Sequence, residues 1–115
     1  MLNPPPTIGF DDFLKVDIRV GTVIGARLNT AARKPAYILE VDFGDLGLKK
    51  TSAQLTELYQ IDELIGRQVA AVVNFPPKQI AKTVSEVLVL GFPDPEGRVV
   101  LVGVDRPVPN GGRLF

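Results

Sequence analysis

A fourteen-residue stretch near the start of the chain alternates between two kinds of side chain. Every second position favours burial: Val16, Ile18, Val20, Thr22, Ile24, Ala26 and Leu28. This period of two predicts one long strand over residues 15–28 with a single buried face. Gly21 and Gly25 lie on the opposite face and predict a bend or a bulge. A long, bent first strand suits a small closed barrel, because it can contribute to both sheets.

Short strands continue along the rest of the chain. Residues 37–43 alternate again, and the turn at residues 44–47 predicts a hairpin with the strand that follows it. The Pro76-Pro77 pair ends a run that is apolar on both faces. The predicted strands after the first are residues 37–43, 48–52, 68–75, 87–92 and 99–104. About six short strands with turns between them indicate an all-β barrel.

Only two short helices are predicted. Over residues 7–14, Thr7 can cap the first turn, and Phe10 and Phe13 fall on one side of the helix. A helix of about two turns does not stand alone in water, so these rings must cover the barrel or a partner subunit. A second short helix at residues 62–65 is expected to stop at Gly66.

Residues 99–102 are apolar on both faces, although a barrel strand buries only one of them. A dimer face explains this pattern, and the alternative is a plug at the barrel end. The predicted dimer interface consists of Phe10, Phe13, Val100 and Val102. The predicted organisation is an N-terminal extension at residues 1–9 and one domain at residues 10–115.

The composition of the 115-residue chain excludes several kinds of catalytic and metal-binding site. The chain has no cysteine and no histidine, which excludes disulfides, thiolate metal sites, thiol nucleophiles and histidine-based triads. Glu40 and Asp42 share a strand face about 7 Å apart, but ordinary solvent exposure explains them better than general acid–base catalysis. We therefore expect no enzyme, no metal and no cofactor. Without a signal peptide or a long apolar run, the expected location is the cytoplasm.

Charge is balanced, with 13 basic and 13 acidic residues. A net charge of zero argues against strong, non-specific binding of long nucleic acids, but it allows a local basic patch. Phosphate contact and ordinary solvation account equally well for the candidate basic residues, which are Arg33, Lys34, Lys49, Lys50, Lys78 and Lys82.

A polar pair and an apolar cluster lie close together in the second half of the sequence. Asn74 and Ser85 could read a base edge or a peptide backbone, or they could be ordinary turn residues. The proposed peptide-binding set is Asn74, Phe75, Pro76, Pro77, Ile80 and Val87, although Phe75 could instead plug the barrel end. Aromatic residues form only 7% of the chain, so few rings are available to stack on bases. Peptide binding is therefore favoured over RNA binding.

Several stretches resemble one family when they are taken in order. Residues 15–21 (KVDIRVG) resemble the opening strand of the tRNA-binding-domain family, an OB-fold. Its CsaA-like branch of export-related chaperones is similar at residues 32–37 (ARKPAY), 52–56 (SAQLT), 66–77 (GRQVAAVVNFPP), 85–91 (SEVLVLG) and 108–111 (VPNG). One departure from that branch is Thr51, where a serine is expected. The other is the segment just before Ser85, residues 82–84, which is more basic and less apolar than expected.

The resemblance implies a non-catalytic, obligate homodimer without a cofactor. For CsaA-like members it implies binding of unfolded exported proteins and of the SecA translocation motor. For other members it implies binding of the outer corner of tRNA, with residues matching Asn74 and Ser85 in the nucleic-acid site. Both ligands are expected to use one groove.

Overall fold

The computed structural model describes residues 3–115 and consists largely of short strands. The strands are β1 (Ile18–Leu28), β2 (Tyr37–Asp42), β3 (Leu48–Ala53), β4 (Gln68–Val72), β5 (Lys78–Ile80), β6 (Thr83–Ser85), β7 (Leu88–Val89), β8 (Gly91–Pro93) and β9 (Val99–Leu101). Two short helices accompany them, α1 (Phe10–Leu14) and α2 (Ile61–Leu64). In this part of the chain, no helix has the length and apolar character needed to cross a membrane.

Five strands form one antiparallel sheet in the order β3-β2-β1-β4-β7. The sheet curls until its first strand meets the segment before its last. There Thr51 Oγ1 donates a 2.7 Å hydrogen bond to the Val87 carbonyl, and the Glu86 N–H donates one of 2.8 Å to the Lys50 carbonyl. The result is a nearly closed five-stranded barrel, which confirms the predicted all-β OB-fold. Thr51, one of the departures from the family pattern, therefore helps to close the barrel.

The barrel interior is filled from β2 as its period of two predicts. Leu39, Val41 and Phe43 are fully buried, and Tyr37 is 7% exposed. Val23, Leu64 and Val69 complete the interior from neighbouring elements, again with no exposed surface. Gly21 of β1 passes so close to β2 that a Cβ atom there would lie 2.6 Å from Val41 Cγ1. Only glycine allows this approach without displacing the core.

The single buried face predicted for β1 is wrong, because the positions that face the core change along the strand. Val23 is fully buried, whereas Ile24 and Leu28 are 46% and 58% exposed. The pairing with β2 shifts between Val23 and Gly25, at the bulge that the glycines predicted. One extra residue in a strand reverses which alternate positions face inward, so Val23 before the bulge and Ala26 after it both face the core, and no single period fits the strand.

The C-terminal segment packs beside the start of β1. The Val20 N–H donates to the Gly112 carbonyl at 3.1 Å, and the Leu114 N–H donates to the Ile18 carbonyl at 2.8 Å. Helix α1 begins after Gly9, whose N–H donates to the Asp12 carboxylate at 3.1 Å, so Thr7 is not the cap. Met1 and Leu2 of the predicted extension lie outside the described residues.

Two further observations concern short elements. Helix α2 ends at Leu64, and Gly66 adopts a φ of 88°, the left-handed conformation expected for a glycine stop. Residues 78–85, where the sequence predicted no strand, form the β5–β6 hairpin, and residues 87–92 divide into β7 and β8. Strand β8 pairs with β9 as a separate two-stranded ladder.

Candidate peptide and nucleic-acid interface

The β5–β6 hairpin lies in the connection from β4 to β7 and forms a wall beside the barrel. Lys78 pairs with Ser85, and Ile80 pairs with Thr83. Directly paired residues project to the same side of a ladder, so Lys78, Ile80 and Ser85 share one face. The base of the hairpin is joined to β3, where the Ser52 N–H donates to Ser85 Oγ at 2.8 Å and the Lys50 N–H donates to Glu86 Oε1 at 3.0 Å.

The first groove, here called the apolar groove, lies between this face and β3. It has a volume of about 410 Å³ and contains Phe75, Pro76, Ile80 and Leu88, with Lys78 and Ser85 among its polar members. Phe75 is 49% exposed and Leu88 is 48% exposed. Phe75 therefore does not plug the barrel end. The groove presents apolar surface to any ligand that enters it.

Two further grooves adjoin the hairpin, one along each of its strands. The loop groove, about 530 Å³, is lined by Arg33 and Lys34 from the β1–β2 loop and by Gln79, Ile80 and Ala81. The strand groove, about 380 Å³, is lined by Arg27, Lys50, Lys82, Thr83 and Glu86, among others. OB-folds bind oligonucleotides across their second and third strands, between the loop after the first strand and the loop after the fourth. Here these are the β1–β2 loop and the connection that contains the β5–β6 hairpin.

Among the described residues, the basic side chains of these grooves form no ion pair. Within residues 3–115, the ion pairs involve other residues, such as Lys15 with Asp12, Arg19 with Asp17 and Arg98 with Asp94. Glu86 is the acidic residue of the three grooves. A chain with zero net charge therefore carries a local basic surface, formed by Arg27, Arg33, Lys34, Lys50, Lys78 and Lys82.

The structure brings most of the predicted binding residues to one hairpin, with three exceptions. Asn74 does not line these grooves or meet Ser85. Its amide nitrogen donates to the Lys15 carbonyl at 2.8 Å, and its carbonyl oxygen accepts from the Asp17 N–H at 3.0 Å. Val87 lines the apolar groove, but it is only 5% exposed and belongs to the barrel core, so its side chain offers little area to a peptide. Lys49 is half-buried and lines none of the three grooves.

The sequence did not single out Arg27 as a binding residue. The available signal was its place on the polar face at the end of the first strand, two residues after Gly25. What the sequence could not supply was its neighbours. Lys50 and Lys82 are 23 and 55 positions away in the sequence, and only the fold brings the three into one groove.

The predicted dimer residues lie on exposed parts of the chain. Phe10 is 69% exposed, Val100 is 40% exposed, and Phe13 and Val102 are half-buried. The Phe10 and Phe13 rings pack against each other with centroids 5.9 Å apart. Val102 also lines an apolar cleft of about 370 Å³ with Ile18, Val20, Val108 and Leu114. The sequence missed this cleft because the C-terminal segment that forms it has no strand period.

A cluster of hydrogen-bonded charged residues joins the segment before β1 and its start to the C-terminal segment beside that cleft. Arg19 Nε and Nη2 donate to the two Asp17 carboxylate oxygens at 2.6 and 3.2 Å, and Arg19 Nη1 donates to the Gly111 carbonyl at 3.0 Å. Arg113 Nη2 donates to the Leu14 carbonyl at 2.6 Å. The hydrogen bond from Arg19 lowers the pKa of the Asp17 carboxyl below its usual value of 3.8.

The family model described as "Putative tRNA binding domain" matches residues 18–113. The chain belongs to this family. It superposes on a crystal structure of the chaperone CsaA from Bacillus anthracis with a TM-score of 0.90 and 49% identity, over 96% of this chain and all of that one. For the CsaA chaperone protein from Picrophilus torridus the TM-score is 0.87 and the identity 48%, over 95% of this chain and all of that one.

A longer relative is the methionine–tRNA ligase of Flavobacterium johnsoniae. It is 33% identical over 107 residues, which is 93% of this chain but only 15% of the ligase. The chain therefore corresponds to a small part of that enzyme. The family match and the CsaA structures together characterise it as a CsaA-like tRNA-binding-domain protein.

Proposed function

We propose that the protein is a non-catalytic chaperone of the CsaA type, which holds unfolded segments of exported polypeptides in the apolar groove. The observation that carries this proposal is the half-exposed Phe75 ring beside Ile80 and Leu88. Burial of apolar area contributes roughly 25 cal/mol per Å², so one extended apolar segment suffices for measurable binding. The likeness to CsaA chaperones over their full length supports it. Its proposed location is the cytoplasm, and its proposed second partner is SecA.

Fluorescence anisotropy with a labelled, unfolded apolar peptide tests the groove. Phe75→Ala should weaken binding about tenfold, because a half-exposed ring has roughly 1.5 kcal/mol of apolar area left to bury. Affinity should be nearly the same at low and high salt, since salt screens charges and not apolar burial. The matched control is Phe92→Ala, another exposed ring, which lies on β8 outside the groove. The proposal fails if Phe92→Ala weakens binding and Phe75→Ala does not.

A second candidate is binding of tRNA at its outer corner through the basic surface. The observation that favours it is the set of basic residues around the hairpin, which form no ion pair among the described residues. Gel-shift titration with bulk tRNA at several salt concentrations measures the number of phosphate contacts. The double variant Lys34→Ala/Lys78→Ala should reduce the salt slope by about one unit per lost contact. Lys15→Ala, which removes a lysine paired with Asp12, is the control and should leave the slope unchanged.

We also propose that the protein is a homodimer through its exposed apolar surface. Phe10 alone can bury about 150 Å² or more in an interface. Light scattering at micromolar concentration should give twice the chain mass of 12.5 kDa. Phe10→Ser should shift the protein towards the monomer, whereas Leu46→Ser, at an exposed turn between β2 and β3, should not. A monomeric wild-type protein at that concentration would contradict the proposal.

A further inference from the structure

We propose that Asn110 is a site of spontaneous deamidation, and that the reaction occurs only when the C-terminal segment, residues 107–115, leaves β1. Asn110 and Gly111 form the one Asn-Gly pair of the chain, since the other three asparagines precede proline, threonine and phenylalanine. Glycine has no side chain to shield its backbone nitrogen, so an asparagine before glycine is the one most readily attacked by that nitrogen. The inference concerns a covalent modification and does not depend on either proposed ligand.

The reaction needs no reactant besides water. The Gly111 nitrogen loses its proton to a base in the solvent and forms a bond to Cγ of Asn110. The bond from Cγ to the side-chain nitrogen breaks, ammonia leaves, and a cyclic succinimide remains. Water then opens one of the two carbonyl bonds of the ring, which gives aspartate or isoaspartate without any oxidation or reduction. Because the attacking nitrogen must first lose its proton, the partner that holds this N–H controls the rate.

In the folded chain, both reacting groups are held by β1 and β4. The Gly111 N–H donates a 2.8 Å hydrogen bond to the Val20 carbonyl. The Asn110 side-chain oxygen accepts hydrogen bonds from Thr22 Oγ1 at 2.8 Å and from Gln68 Nε2 at 2.9 Å. An N–H that is bonded to a neighbouring strand gives up its proton only when the structure opens locally. The fold therefore protects a sequence that is reactive in an unfolded chain.

Gln68 of β4 holds this segment at two positions. Its Oε1 accepts the Val108 N–H at 3.0 Å, and its Nε2 donates to the Val108 carbonyl at 2.7 Å as well as to Asn110. When the segment leaves β1, the side chain of Asn110 and the nitrogen of Gly111 are released together. The rate in the folded protein then equals the rate in the unfolded chain multiplied by the fraction of time that the segment is open.

The turn around Asn110 has no room for the isoaspartate product. A Cβ atom on Gly44 would lie 2.5 Å from the Asn110 carbonyl oxygen, and a Cβ atom on Gly111 would lie 2.5 Å from the Phe43 carbonyl oxygen. Isoaspartate adds one carbon to the main chain between residues 110 and 111. We therefore expect the modified segment to stay detached from β1, so that deamidation converts a reversible opening into a permanent one.

Mass spectrometry of the proteolytic fragment that contains Asn110 tests the proposal. The full chain is incubated at one mildly alkaline pH, either folded or unfolded in guanidinium chloride, and the deamidated fraction is followed over time. The folded protein should react at least roughly tenfold more slowly than the unfolded chain. Gln68→Ala should raise the folded rate about tenfold, because the hydrogen bonds to Val108 and Asn110 are lost. Gln79→Ala is the matched control, since Gln79 bonds to Ala81 of the hairpin.

A second variant and a second measurement keep the test decisive. Thr22→Val removes one donor to Asn110 and should raise the rate about threefold, and it replaces Gln68→Ala if the melting temperature shows that variant to be unfolded. Hydrogen exchange of the Gly111 amide should become faster by the same factor as deamidation, because one opening exposes both groups. Equal rates in the folded and unfolded chains would overturn the proposal. Rates in both variants that match Gln79→Ala, or faster deamidation with unchanged Gly111 exchange, would also contradict it.

Discussion

Ser85 Oγ accepts a 2.8 Å hydrogen bond from the backbone N–H of Ser52, 33 positions earlier in the chain. The bond lies next to the Thr51–Val87 contact that closes the barrel. The base of the β5–β6 hairpin is thus joined to the barrel wall, while its tip extends beyond it. Every groove of the interface has this hairpin as one side, so the position of the hairpin determines the shape of all three.

Removing that acceptor should loosen the hairpin. Ser85→Ala should lower the free energy of unfolding by about 1 kcal/mol, because the partly buried Ser52 N–H loses its partner. Hydrogen exchange of the Ser52 amide should become faster than in the wild-type protein. Thr83→Ala, on the same strand β6, is the control and should leave that amide protected. Unchanged exchange in Ser85→Ala would show that the hairpin is held by other contacts.

Val87→Ala and Phe75→Ala should lower the free energy of unfolding by different amounts. Val87→Ala removes methyl groups from the core and should cost about 2 kcal/mol of unfolding free energy, since Val87 is 5% exposed. Phe75→Ala should cost less than about 1 kcal/mol, because half of the ring is already in water. Urea denaturation of the two variants beside the wild-type protein measures the difference. A larger loss for Phe75→Ala would make Phe75 a core residue and weaken the case for the apolar groove.

The sequence predicted the parts of the fold in which apolar residues recur with a regular period on a buried face. The alternation through Tyr37, Leu39, Val41 and Phe43 is confirmed because β2 has one face in the core along its whole length. The same logic was wrong for Ile24, because a bulge adds one residue and no sequence period records it. Burial of Val87 was missed for a different reason: barrel closure to Thr51 joins residues far apart in sequence.

For the candidate site, the sequence indicated several of the residues that line the grooves, but not how the fold arranges them. Phe75, Pro76 and Ile80, which lie close together in the sequence, also line one groove in the structure. The hairpin that arranges them was not foreseen, since each of its strands has only three residues and too few positions for a period. Asn74 interrupts an apolar run, which suggested a ligand, but its amide bonds to the backbone before β1.

Acid should release the Asp17 cluster. Because the Arg19 hydrogen bond lowers the pKa of folded Asp17, the carboxylate contributes stability above its unfolded pKa, and that contribution is lost as the pH falls through the folded pKa. Asp17→Asn should therefore be less stable than the wild-type protein at neutral pH. The difference should shrink below about pH 4. Urea midpoints across this range test the prediction, with Asp45→Asn as the control. A constant difference at every pH would mean that the Asp17 charge does not matter.

We propose that one hairpin binds an apolar ligand on one face and phosphates along its edges. Ile80 lines the apolar groove and the loop groove, whereas Lys82 lines only the strand groove. The two side chains are two positions apart in the chain. Substitutions at these positions can therefore separate the two kinds of binding without moving the hairpin as a whole.

The most direct measurement is the affinity of Ile80→Ala and Lys82→Glu for both an unfolded apolar peptide and tRNA, with folding confirmed for each variant. Ile80→Ala should weaken peptide binding severalfold and change tRNA binding little, since about 1–2 kcal/mol of apolar contact is removed without any charge. Lys82→Glu should weaken tRNA binding tenfold or more and leave peptide binding near the wild-type value. If both variants lower the two affinities together, or change neither, the account of a hairpin with separate apolar and basic surfaces is contradicted.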